Sequence, residues 1–312
     1  MEVNTLFLTN REDISIEYLI EKYRNVSENY LRINSEDVEL IEFDINPAGK
    51  TKCYIENSEY NLSTVKSVLF KRTPTRFNNI SDNENKAYLN NEKKHFFEGL
   101  YLSIENAKWV NPMFATHIAE RKIYQLKVAN QLGLNIPKSV ITNQLSRALS
   151  FLKENPISII KPISNGLQVL KDRTYSIYTT EITHQAFIDL ELAEIFSTPV
   201  FLQERIKNDS DIRVTIVGNN LFAAQIRKEG DDVDWRKPDI KKLYDQIILP
   251  LFLQEKLLEL NRFFKMIYSA IDLILTPHGE YIFLEINPVG EWVWLEQELD
   301  FGISACLINE LL

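Results

Sequence analysis

Residues 271–296 read IDLILTPHGEYIFLEINPVGEWVWLE, and no other part of the sequence says more about the architecture. β-Branched and aromatic residues flank the sequence from Pro277 to Gly279. A Pro/Gly break between two such runs predicts two short strands, Ile271 to Thr276 and Glu280 to Ile286, joined by a turn. We therefore predict a β-hairpin near the end of the chain.

Three side chains of this hairpin carry oxygen atoms that can bind a metal ion. Asp272 lies in the first strand, and Glu285 and Asn287, two positions apart on the second, should point to the same face of the sheet. Mg²⁺ takes oxygen ligands and completes its shell with water and phosphate, so the set suits magnesium better than zinc. Asp272 alone could equally be an acid in a half-exposed strand. Glu285 and Asn287 accompany an apolar run, residues 281–286, where an unpaired polar group is costly, so we predict that all three bind Mg²⁺.

An Asp followed 13 residues later (285 − 272 = 13) by Glu-x-Asn-Pro at the end of a strand resembles the magnesium site of the ATP-grasp ligases. The continuation from Gly290 to Glu296 resembles one branch of that superfamily, the microviridin-type peptide ligases or graspetide macrocyclases, which cross-link ribosomal peptides. The resemblance implies ATP and Mg²⁺ as cofactors and an α/β (α+β) fold in three parts. These parts are an N-terminal α/β domain at residues 1–110, a central lid domain at 111–199 and a C-terminal domain with the hairpin at 200–312.

Composition and charge exclude several other classes of protein. The chain has 312 residues, 45% of them hydrophobic, which is enough to fill the cores of more than one domain. Cys53 and Cys306 are its two cysteines, so neither a disulfide framework nor a zinc spacing is present, as expected for the reducing cytoplasm. A secretion signal and a membrane-spanning apolar run are also missing from the sequence. The net charge of −9 disfavours nucleic-acid binding, and it means that ATP would need a local basic cluster.

The first hundred residues alternate between strand and helix patterns, which predicts a small α/β domain up to about Pro112. The predicted strands are Thr5 to Thr9, Val38 to Ile45 and Ser67 to Lys71, and the predicted helices are Ser15 to Arg24 and Asp82 to Asn106. Because a glycine-rich phosphate loop does not follow the first strand, the dinucleotide-binding fingerprint is absent.

Basic residues at the end of a predicted strand are candidates for binding a partner. Lys71, Arg72 and Arg76 leave the strand in the sequence KRTPTRF, and the carboxyl ends of strands are where open α/β sheets form binding crevices. They could also be an ordinary solvated edge. The resemblance implies that this region is part of the platform for the precursor peptide, and we predict that Arg227, at the far end of a later strand, binds the peptide as well.

Two lysines and one strand are candidates for the nucleotide site. The sequence RKIYQLKVANQLGLNIPKSVIT, residues 121–142, resembles the ATP-grasp stretch in which a helix lysine contacts the nucleotide, which implies this role for Lys122. Lys161 ends an apolar strand, where a desolvated ammonium needs a counter-charge, and phosphate is a natural one. The strand from Val200 to Ile206 matches the adenine-binding hinge of the family. Its candidate residues are Gln203, Glu204 and Ile206.

Two arginines are candidates for the chemical step. Residues 211–228 predict a hairpin around Gly218 to Asn220, with Arg213 on its first strand. Arg236 belongs to an Asp-Trp-Arg sequence that resembles one found in the peptide-ligase branch. The planar fork of arginine suits phosphoryl and carboxylate oxygens, so we predict that Arg213 and Arg236 face one cleft and act in catalysis. Each alone could instead be a residue of a salt bridge.

The reaction that the resemblance implies is transfer of the γ-phosphoryl group of MgATP to a carboxylate, followed by attack of a hydroxyl or amine on the acyl phosphate. The substrate would be a precursor peptide with a leader and an acidic, hydroxyl-bearing core, whose Asp or Glu side chains are joined to Thr, Ser or Lys. We expect a homodimer in the cytoplasm, without nucleic acid or membrane partners.

Two alternatives stay open. A RimK-like or glutathione-synthetase-like ligase would use the same chemistry to add free amino acids, and the Trp292 and Trp294 tail argues against it. A nucleotide- and peptide-binding protein without catalysis is the other alternative, and the complete set of Asp272, Glu285 and Asn287 argues against that one.

Overall fold

The structure is a computed structural model that describes residues 1–45, 51–55, 57–71, 85–164, 166–170, 173–189, 198–230 and 240–312. Residues up to 110 form a helix-flanked parallel sheet with a small antiparallel sheet beside it. The elements are β1 (Thr5–Thr9), α1 (Ile14–Tyr23), β2 (Tyr30–Asn34), β3 (Ile41–Ile45), β4 (Thr51–Ile55), β5 (Ser58–Tyr60), β6 (Ser67–Phe70), α2 (Lys86–Leu102) and β7 (Lys108–Val110). The parallel strands pair in the order β2-β1-β6-β7, and the antiparallel ones in the order β3-β4-β5. The predicted α/β character of this region is confirmed.

One predicted strand in this region is wrong in its first half. Residues Ser35–Leu40 form a 3-10 helix, and extended pairing begins at Ile41. Asp37, just before the predicted strand, stabilises this turn, since its Oδ2 accepts a hydrogen bond from the Nδ2 of Asn34 at 2.8 Å. Short polar side chains commonly compete with extended structure in this way. The long helix is shorter than predicted, Lys86–Leu102, and residues 82–84 of the prediction lie outside the described residues.

Residues 111–204 contain two helices followed by a mixed region. The elements are α3 (Met113–Ala119), α4 (Lys122–Gln131), β8 (Ser139–Thr142), α5 (Leu145–Glu154), β9 (Ser158–Lys161), β10 (Leu167–Leu170), β11 (Arg173–Ser176), β12 (Thr180–Ile182), α6 (His184–Ile188) and β13 (Val200–Glu204). Strands β12-β9-β13-β8 form an antiparallel sheet, and β10 pairs with β11. Helix α4 ends as predicted, with Gly133 just beyond it at a φ of +75°, a conformation that favours glycine.

Two helix predictions in this region need correction. The sequence predicts a helix from about Thr180 to Phe196, but residues 180–182 pair with β9, and α6 begins only after Thr183, whose Oγ1 accepts from the Ala186 amide at 3.2 Å. Residues 190–196 of this prediction lie outside the described residues. The sequence also predicts Asn143 as the N-cap of the next helix upstream, α5, but Gln144 holds that position, without a capping hydrogen bond from its side chain.

Residues 210–311 form the third part of the fold. The elements are β14 (Ser210–Val217), β15 (Asn220–Lys228), β16 (Lys242–Ile247), α7 (Leu251–Phe263), β17 (Tyr268–Leu275), β18 (Tyr281–Asn287), α8 (Val293–Leu299) and α9 (Ile303–Leu311). The strands pair antiparallel in the order β16-β15-β14-β17-β18, called here the C-terminal sheet. Both predicted hairpins, β14 with β15 and β17 with β18, are confirmed. The pattern of residues 299–312 predicts one closing helix, and the structure has it only from Ile303, as α9; a separate helix, α8, precedes it and ends just before Asp300, whose φ is +51°.

The hairpin of β17 and β18 contains a β-bulge. Asp272 pairs with Glu285, whereas the adjacent Leu273 pairs with Phe283, so Leu284 is the extra residue. The bulge changes which side chains share a face, because side chains alternate along a strand. As a result Glu285 and Asn287 lie on the face of Asp272, while Phe283 and Ile286 belong to the apolar core on the other face.

The two faces of the C-terminal sheet are covered by different elements. The apolar face packs against helices α3, α4 and α7, in a core that includes Val214, Leu257 and Phe283. On the other side a second core joins the sheet to α1 and the C-terminal helices, with Phe7 and Trp292 among its buried side chains. In the described part of the chain, none of the helices combines the length and apolar character that crossing a bilayer requires.

Candidate active site

A row of charged side chains crosses three strands of the C-terminal sheet. By strand register Arg213 on β14 lies opposite Asp272 on β17, which lies opposite Glu285 on β18. The Nη1 of Arg213 donates to both carboxylate oxygens of Asp272 at 2.9 Å. Burial lowers the pKa of Arg213, but the charge of Asp272 and its hydrogen bond, together with the neighbouring Tyr268 and Glu285, raise it by more, so its pKa lies above the ordinary value. The guanidinium therefore stays charged on a buried sheet face.

One donor of Arg213 has no hydrogen-bond partner among the described residues. The residue is only 6% exposed, and its Nη2 donates to the carbonyl oxygen of Glu291 at 3.2 Å. Its Nε makes no hydrogen bond to any described residue, although the atom is buried. A buried donor without an acceptor is costly in a folded protein, which marks this atom as unusual. The predicted catalytic position of Arg213 is consistent with this geometry.

Gly290 allows the turn after β18 to approach Arg213. A Cβ atom built on Gly290 would lie 2.7 Å from the Nη2 of Arg213 and 2.5 Å from the Cβ of Ala270. Both distances are too short for a real side chain, so only glycine fits unless the neighbours move. Gly290 begins the stretch that resembles the peptide ligases, but its close approach to Arg213 was not predicted.

The predicted metal ligands lie together on one sheet face. The Nδ2 of Asn287 donates to the Oε1 of Glu285 at 3.1 Å, and the Nζ of Lys122 lies 3.4 Å from the Oε2 of Glu285. The set offers two carboxylates and an amide oxygen, which is the donor chemistry that Mg²⁺ takes. Both oxygens of Asp272 already accept from Arg213, so Glu285 and Asn287 are the better placed of the three. The described residues contain no cluster of three or more His, Cys, Asp or Glu side chains that could hold a metal ion.

The two predicted nucleotide-binding lysines are both near Pro162. The Nζ of Lys122, the first residue of α4, donates to the carbonyl oxygen of Pro162 at 3.2 Å, and Lys161 directly precedes Pro162 in the chain. The Nζ of Lys161 donates to the Oε1 of Gln203 at 3.0 Å and lies 4.6 Å from the centre of the Phe201 ring. The Lys122 ammonium therefore lies beside Glu285, and the Lys161 ammonium lies against β13.

The predicted hinge residues have different environments. Gln203 is fully buried and donates from Nε2 to the Oγ of Ser139 at 2.9 Å, so its side chain holds Lys161 and not a base. The Oε1 of Glu204 accepts from the backbone amide of Lys138 at 2.7 Å. Ile206 is half-buried and follows the end of β13. Which of them contacts a nucleotide stays a prediction.

The predicted peptide-binding residues are not all at one surface. Lys71 is buried, with its Nζ 3.2 Å from the Oε2 of Glu291 and 3.7 Å from the Oδ1 of Asp13. Glu291 also accepts from the Oγ of Ser15, so Lys71 joins the N-terminal region to the turn that contacts Arg213. Arg227 is exposed and pairs with Asp245 on β16. The roles proposed for Lys71 and Arg227 stay predictions.

Three of the predicted site residues lie outside the described residues: Arg72, Arg76 and Arg236. Their roles also stay predictions. Four residues that contact the site were not predicted from the sequence, namely Gly290, Glu291, Asn111 and Gln125. Gln125 comes one helical turn after Lys122, which was a usable signal. For Asn111 the sequence carries no such signal, because its contacts lie more than 150 residues away.

No protein-family model matches the chain, but several known proteins are similar to it. The macrocyclase MdnC bound with precursor peptide MdnA from Microcystis aeruginosa is 27% identical, covers 99% of both chains and gives a TM-score of 0.87. A RiPP-associated ATP-grasp ligase from Chryseobacterium gregarium, in complex with ADP and a leader and core peptide, is 22% identical over 99% of this chain and 96% of that one, with a TM-score of 0.84.

The alpha-aminoadipate–LysW ligase LysX of Sulfurisphaera tokodaii is 24% identical over 212 residues, which are 65% of this chain and 71% of the relative. The structural likenesses extend over nearly the whole chain, so they include the N-terminal region that the sequence resembled only in architecture. The predicted α/β (α+β) fold of the ATP-grasp type is confirmed.

Proposed function

We propose that this chain, which belongs to the ATP-grasp ligases, activates side-chain carboxylates of a precursor peptide with MgATP and joins them to hydroxyl or amine side chains of the same peptide. The observation that carries the proposal is the row of Arg213, Asp272 and Glu285 across three strands, with one arginine donor that no described residue satisfies. The likeness to the peptide-bound macrocyclase over the whole chain supports the choice of a peptide substrate.

The proposed reaction has two steps. A carboxylate oxygen of an Asp or Glu side chain attacks the γ-phosphorus of ATP, the bond from that phosphorus to the β–γ bridging oxygen breaks, and ADP leaves. A hydroxyl or amine of the peptide then attacks the acyl carbon, the bond from that carbon to the phosphate oxygen breaks, phosphate leaves, and the nucleophile loses its proton. One ester or amide bond forms, and ATP becomes ADP and phosphate.

The residues of this chain act by position and charge. Negative charge spreads over the phosphoryl oxygens during transfer, and preorganised donors that face it are the main source of stabilisation. Arg213 is held by Asp272 and Glu291 in such a place, and its free Nε can donate to a phosphoryl or acyl oxygen. We propose that Arg236 acts with it.

We assign the binding of Mg²⁺ to Glu285 and Asn287, with Asp272 beside them, and when bound the ion would neutralise charge between the phosphates. Lys122 and Lys161 would bind the phosphates, and the strand end with Gln203, Glu204 and Ile206 would border the adenine. We keep the division into residues 1–110, 111–199 and 200–312 as a proposal, together with a cytoplasmic homodimer. The residues proposed to bind the peptide are Lys71, Arg72, Arg76 and Arg227.

Mass spectrometry of the peptide encoded beside this gene tests the proposal. After incubation with enzyme and MgATP, the peptide should lose the mass of one water for each bond formed, and release of ADP should depend on the peptide. Glu285→Ala is the matched control and should give neither result. An unchanged peptide mass together with ADP release that depends on a free amino acid would overturn the proposal.

ADP release that depends on a free amino acid would support the alternative function, addition of free amino acids, which the similarity to the aminoadipate ligase also suggests. Binding of nucleotide and peptide without ADP release would support the other alternative, a protein without catalysis.

A further inference from the structure

Two buried amide side chains hold the strand that carries Glu285 and Asn287. They are Gln125 on α4 and Asn111 just before α3, and their exposed fractions are 2% and 1%. Neither touches the predicted ligand side chains through a described hydrogen bond. Gln125 contacts the backbone just before Asn287, and Asn111 contacts the backbone just after it.

Gln125 binds both backbone groups of Ile286, the residue between Glu285 and Asn287. Its Nε2 donates to the carbonyl oxygen of Ile286 at 2.8 Å, and its Oε1 accepts from the Ile286 amide at 3.2 Å. Its Nε2 also donates to the carbonyl oxygen of Ala119. Among the described strands β18 lies at the end of the C-terminal sheet, so its outer backbone groups lack a strand partner at this point. Gln125 takes the place of that partner.

Asn111 fixes the other end of the same segment. Its Nδ2 donates to the carbonyl oxygens of Tyr268 at 2.7 Å and Pro288 at 3.0 Å, and its Oδ1 accepts from the amides of Ile267 and Tyr268, both at 2.8 Å. This one amide uses all its hydrogen-bonding capacity. It ties the residue after Asn287 to the first residue of β17.

We infer that Gln125 and Asn111 are positioning residues for Glu285 and Asn287. The direction of a side chain follows from its backbone. Here two hydrogen bonds with Gln125 hold Ile286, one with Asn111 holds Pro288, and two more join Asn111 to Tyr268 on the neighbouring strand. Helix α4 contributes twice, because Lys122, one turn before Gln125, lies 3.4 Å from the Glu285 carboxylate. The inference rests on the proposed function, since it assigns these residues to the orientation of Mg²⁺ ligands.

Gln125→Leu tests the inference, because leucine fills most of the space but binds neither backbone group. The measurement is the affinity for ADP by calorimetry with and without Mg²⁺, which requires no turnover. In the native protein Mg²⁺ should tighten the binding of ADP. We expect the variant to lose about 10-fold to 100-fold of that tightening, the range typical of groups that orient metal ligands, while its affinity for ADP without Mg²⁺ stays the same.

Asn261→Leu is the matched control. Asn261 is a buried amide on α7 in the same core, and its Nδ2 donates to the carbonyl oxygen of Met266 at 2.8 Å, away from the site. Its loss should lower the melting temperature while the effect of Mg²⁺ on ADP affinity stays native. If Gln125→Leu matches this control in both measurements, Gln125 serves stability alone and the inference is wrong.

Hydrogen exchange provides a second measurement that does not depend on the metal. The amide of Ile286 should exchange faster in Gln125→Leu than in the native protein, whereas that of Phe283, which donates to the carbonyl oxygen of Asn135 at 2.8 Å, should stay protected. If the leucine variant does not fold, Gln125→Ser, which leaves room for water beside Ile286, replaces it in both experiments. Native exchange at Ile286 in a folded variant would contradict the inference.

An error in the proposed metal ligands and an error in the positioning role of Gln125 would give different results. If Mg²⁺ does not tighten ADP binding in the native protein, or Glu285→Ala keeps the full effect, the proposed metal ligands are wrong and the inference falls with them. If Glu285→Ala loses the effect and Gln125→Leu keeps it, the proposed function stands and only the positioning role is wrong.

Discussion

The two faces of the C-terminal sheet are built from the same strands and are buried to a similar degree, but they differ in chemistry. On one face Val214 and its neighbours pack against α4 and α7. The other face, called here the charged face, also carries apolar residues of the second core such as Val217, but beside them Arg213 and Asp272 form an ion pair whose residues are 6% and 8% exposed. A buried ion pair can often be replaced by apolar residues without loss of stability. The fold therefore does not require this ion pair, which is better explained by chemistry.

The comparison predicts that substitutions on the charged face reduce turnover, whereas those on the apolar face reduce stability. Glu285→Ala should have the largest effect and abolish turnover, because it removes a ligand of the proposed Mg²⁺ site. Its melting temperature should change little, since the side chain borders a polar cluster and not a packed core. Peptide-dependent ADP release and thermal melting measure the two effects, and native activity at saturating Mg²⁺ would contradict the assignment.

Leu257→Ala is the control on the opposite face. Leu257 is fully buried on α7 in the apolar core, and truncation of such a leucine costs about 2–5 kcal/mol of unfolding free energy. Its turnover per folded molecule should remain close to native at low temperature. A turnover loss comparable to that of Glu285→Ala would remove the distinction between the two faces.

Arg213 should give the second largest effect. Loss of one preorganised donor from a charge-stabilising site lowers kcat by about 10²–10³-fold, and we expect this for Arg213→Lys or Arg213→Ala, with little change in KM for ATP. Lysine keeps the charge but not the planar fork, so it should retain more of the rate. Alanine also leaves Asp272 buried without its partner, which costs about 3–5 kcal/mol. Single-turnover rates and melting curves separate these effects.

A stability loss without a loss of rate would show that Arg213 is only the partner of Asp272. The same measurements on Arg236→Ala test whether the second arginine belongs to the site.

Gly290→Ala should have a smaller effect on the same group. The added methyl must displace Arg213 or Ala270, and a misplacement of about 1 Å at a reacting group can cost about 10²-fold, so we expect a fall in kcat of about 10-fold with ATP affinity unchanged. Gly99→Ala on α2 is the matched control, because nothing lies within 4 Å of its added Cβ. It should keep full activity and gain about 0.5–1 kcal/mol of helix stability. Equal kinetics for the two variants would show that the close approach to Arg213 has no role.

The smallest effect concerns Glu296, which joins α8 to α1 outside the site. The side chain is 6% exposed and accepts from Lys22 at 2.8 Å and from the Ser304 amide at 2.7 Å. Burial raises its pKa, but these hydrogen bonds lower it by more, so its pKa in the folded protein lies below the ordinary value. The unfolded chain therefore takes up the proton first, and the stabilisation is present at neutral pH and lost as the pH falls through the folded pKa.

Glu296→Gln should accordingly reduce the free energy of unfolding at pH 7, by about 1.5–3 kcal/mol for hydrogen bonds to a charged group. The difference from the native protein should shrink below about pH 4.3, the ordinary value for a glutamate. Urea unfolding at several pH values measures it. Glu59→Gln, at an exposed pair with Lys52, is the control and should leave stability nearly unchanged. A difference that grows as the pH falls would contradict this account.

The sequence predicted the parts of the site that depend on local pattern. β-Branched and aromatic runs on both sides of a turn predicted the hairpin of β17 and β18, and Gly133 after a helical run predicted the end of α4. The direct pairing of Asp272 with Glu285 could not be predicted, because it requires the bulge at Leu284 and no local signal marks it. The roles of Gln125 and Asn111 were missed for a related reason. Their partners are distant in sequence, and they are backbone groups, which look the same whatever the residue type.

The errors in secondary structure also have physical causes. Residues 180–188 contain polar residues at a spacing that suits a helix, but the first three pair with β9 and so become a strand. Tertiary pairing overrides a weak local preference in such short segments. The prediction that Gln203 borders adenine likewise did not anticipate that its side chain is already bound to Lys161 and Ser139.

The bulge at Leu284 makes the register of β18 as important as its composition. If Leu284 stayed in the strand and the bulge were lost, pairing would continue residue by residue from Leu273 and Phe283, so Glu285 would pair with Ile271 and point into the apolar core, and Leu284 would lie beside Asp272. Deletion of Leu284 would instead remove the bulge and keep Asp272 opposite Glu285. Insertions in the turn from Pro277 to Gly279 would leave the register of the ligands intact. Relatives with this chemistry should therefore vary in length at the turn, and just before Glu-x-Asn they should either keep the bulge or lack its extra residue.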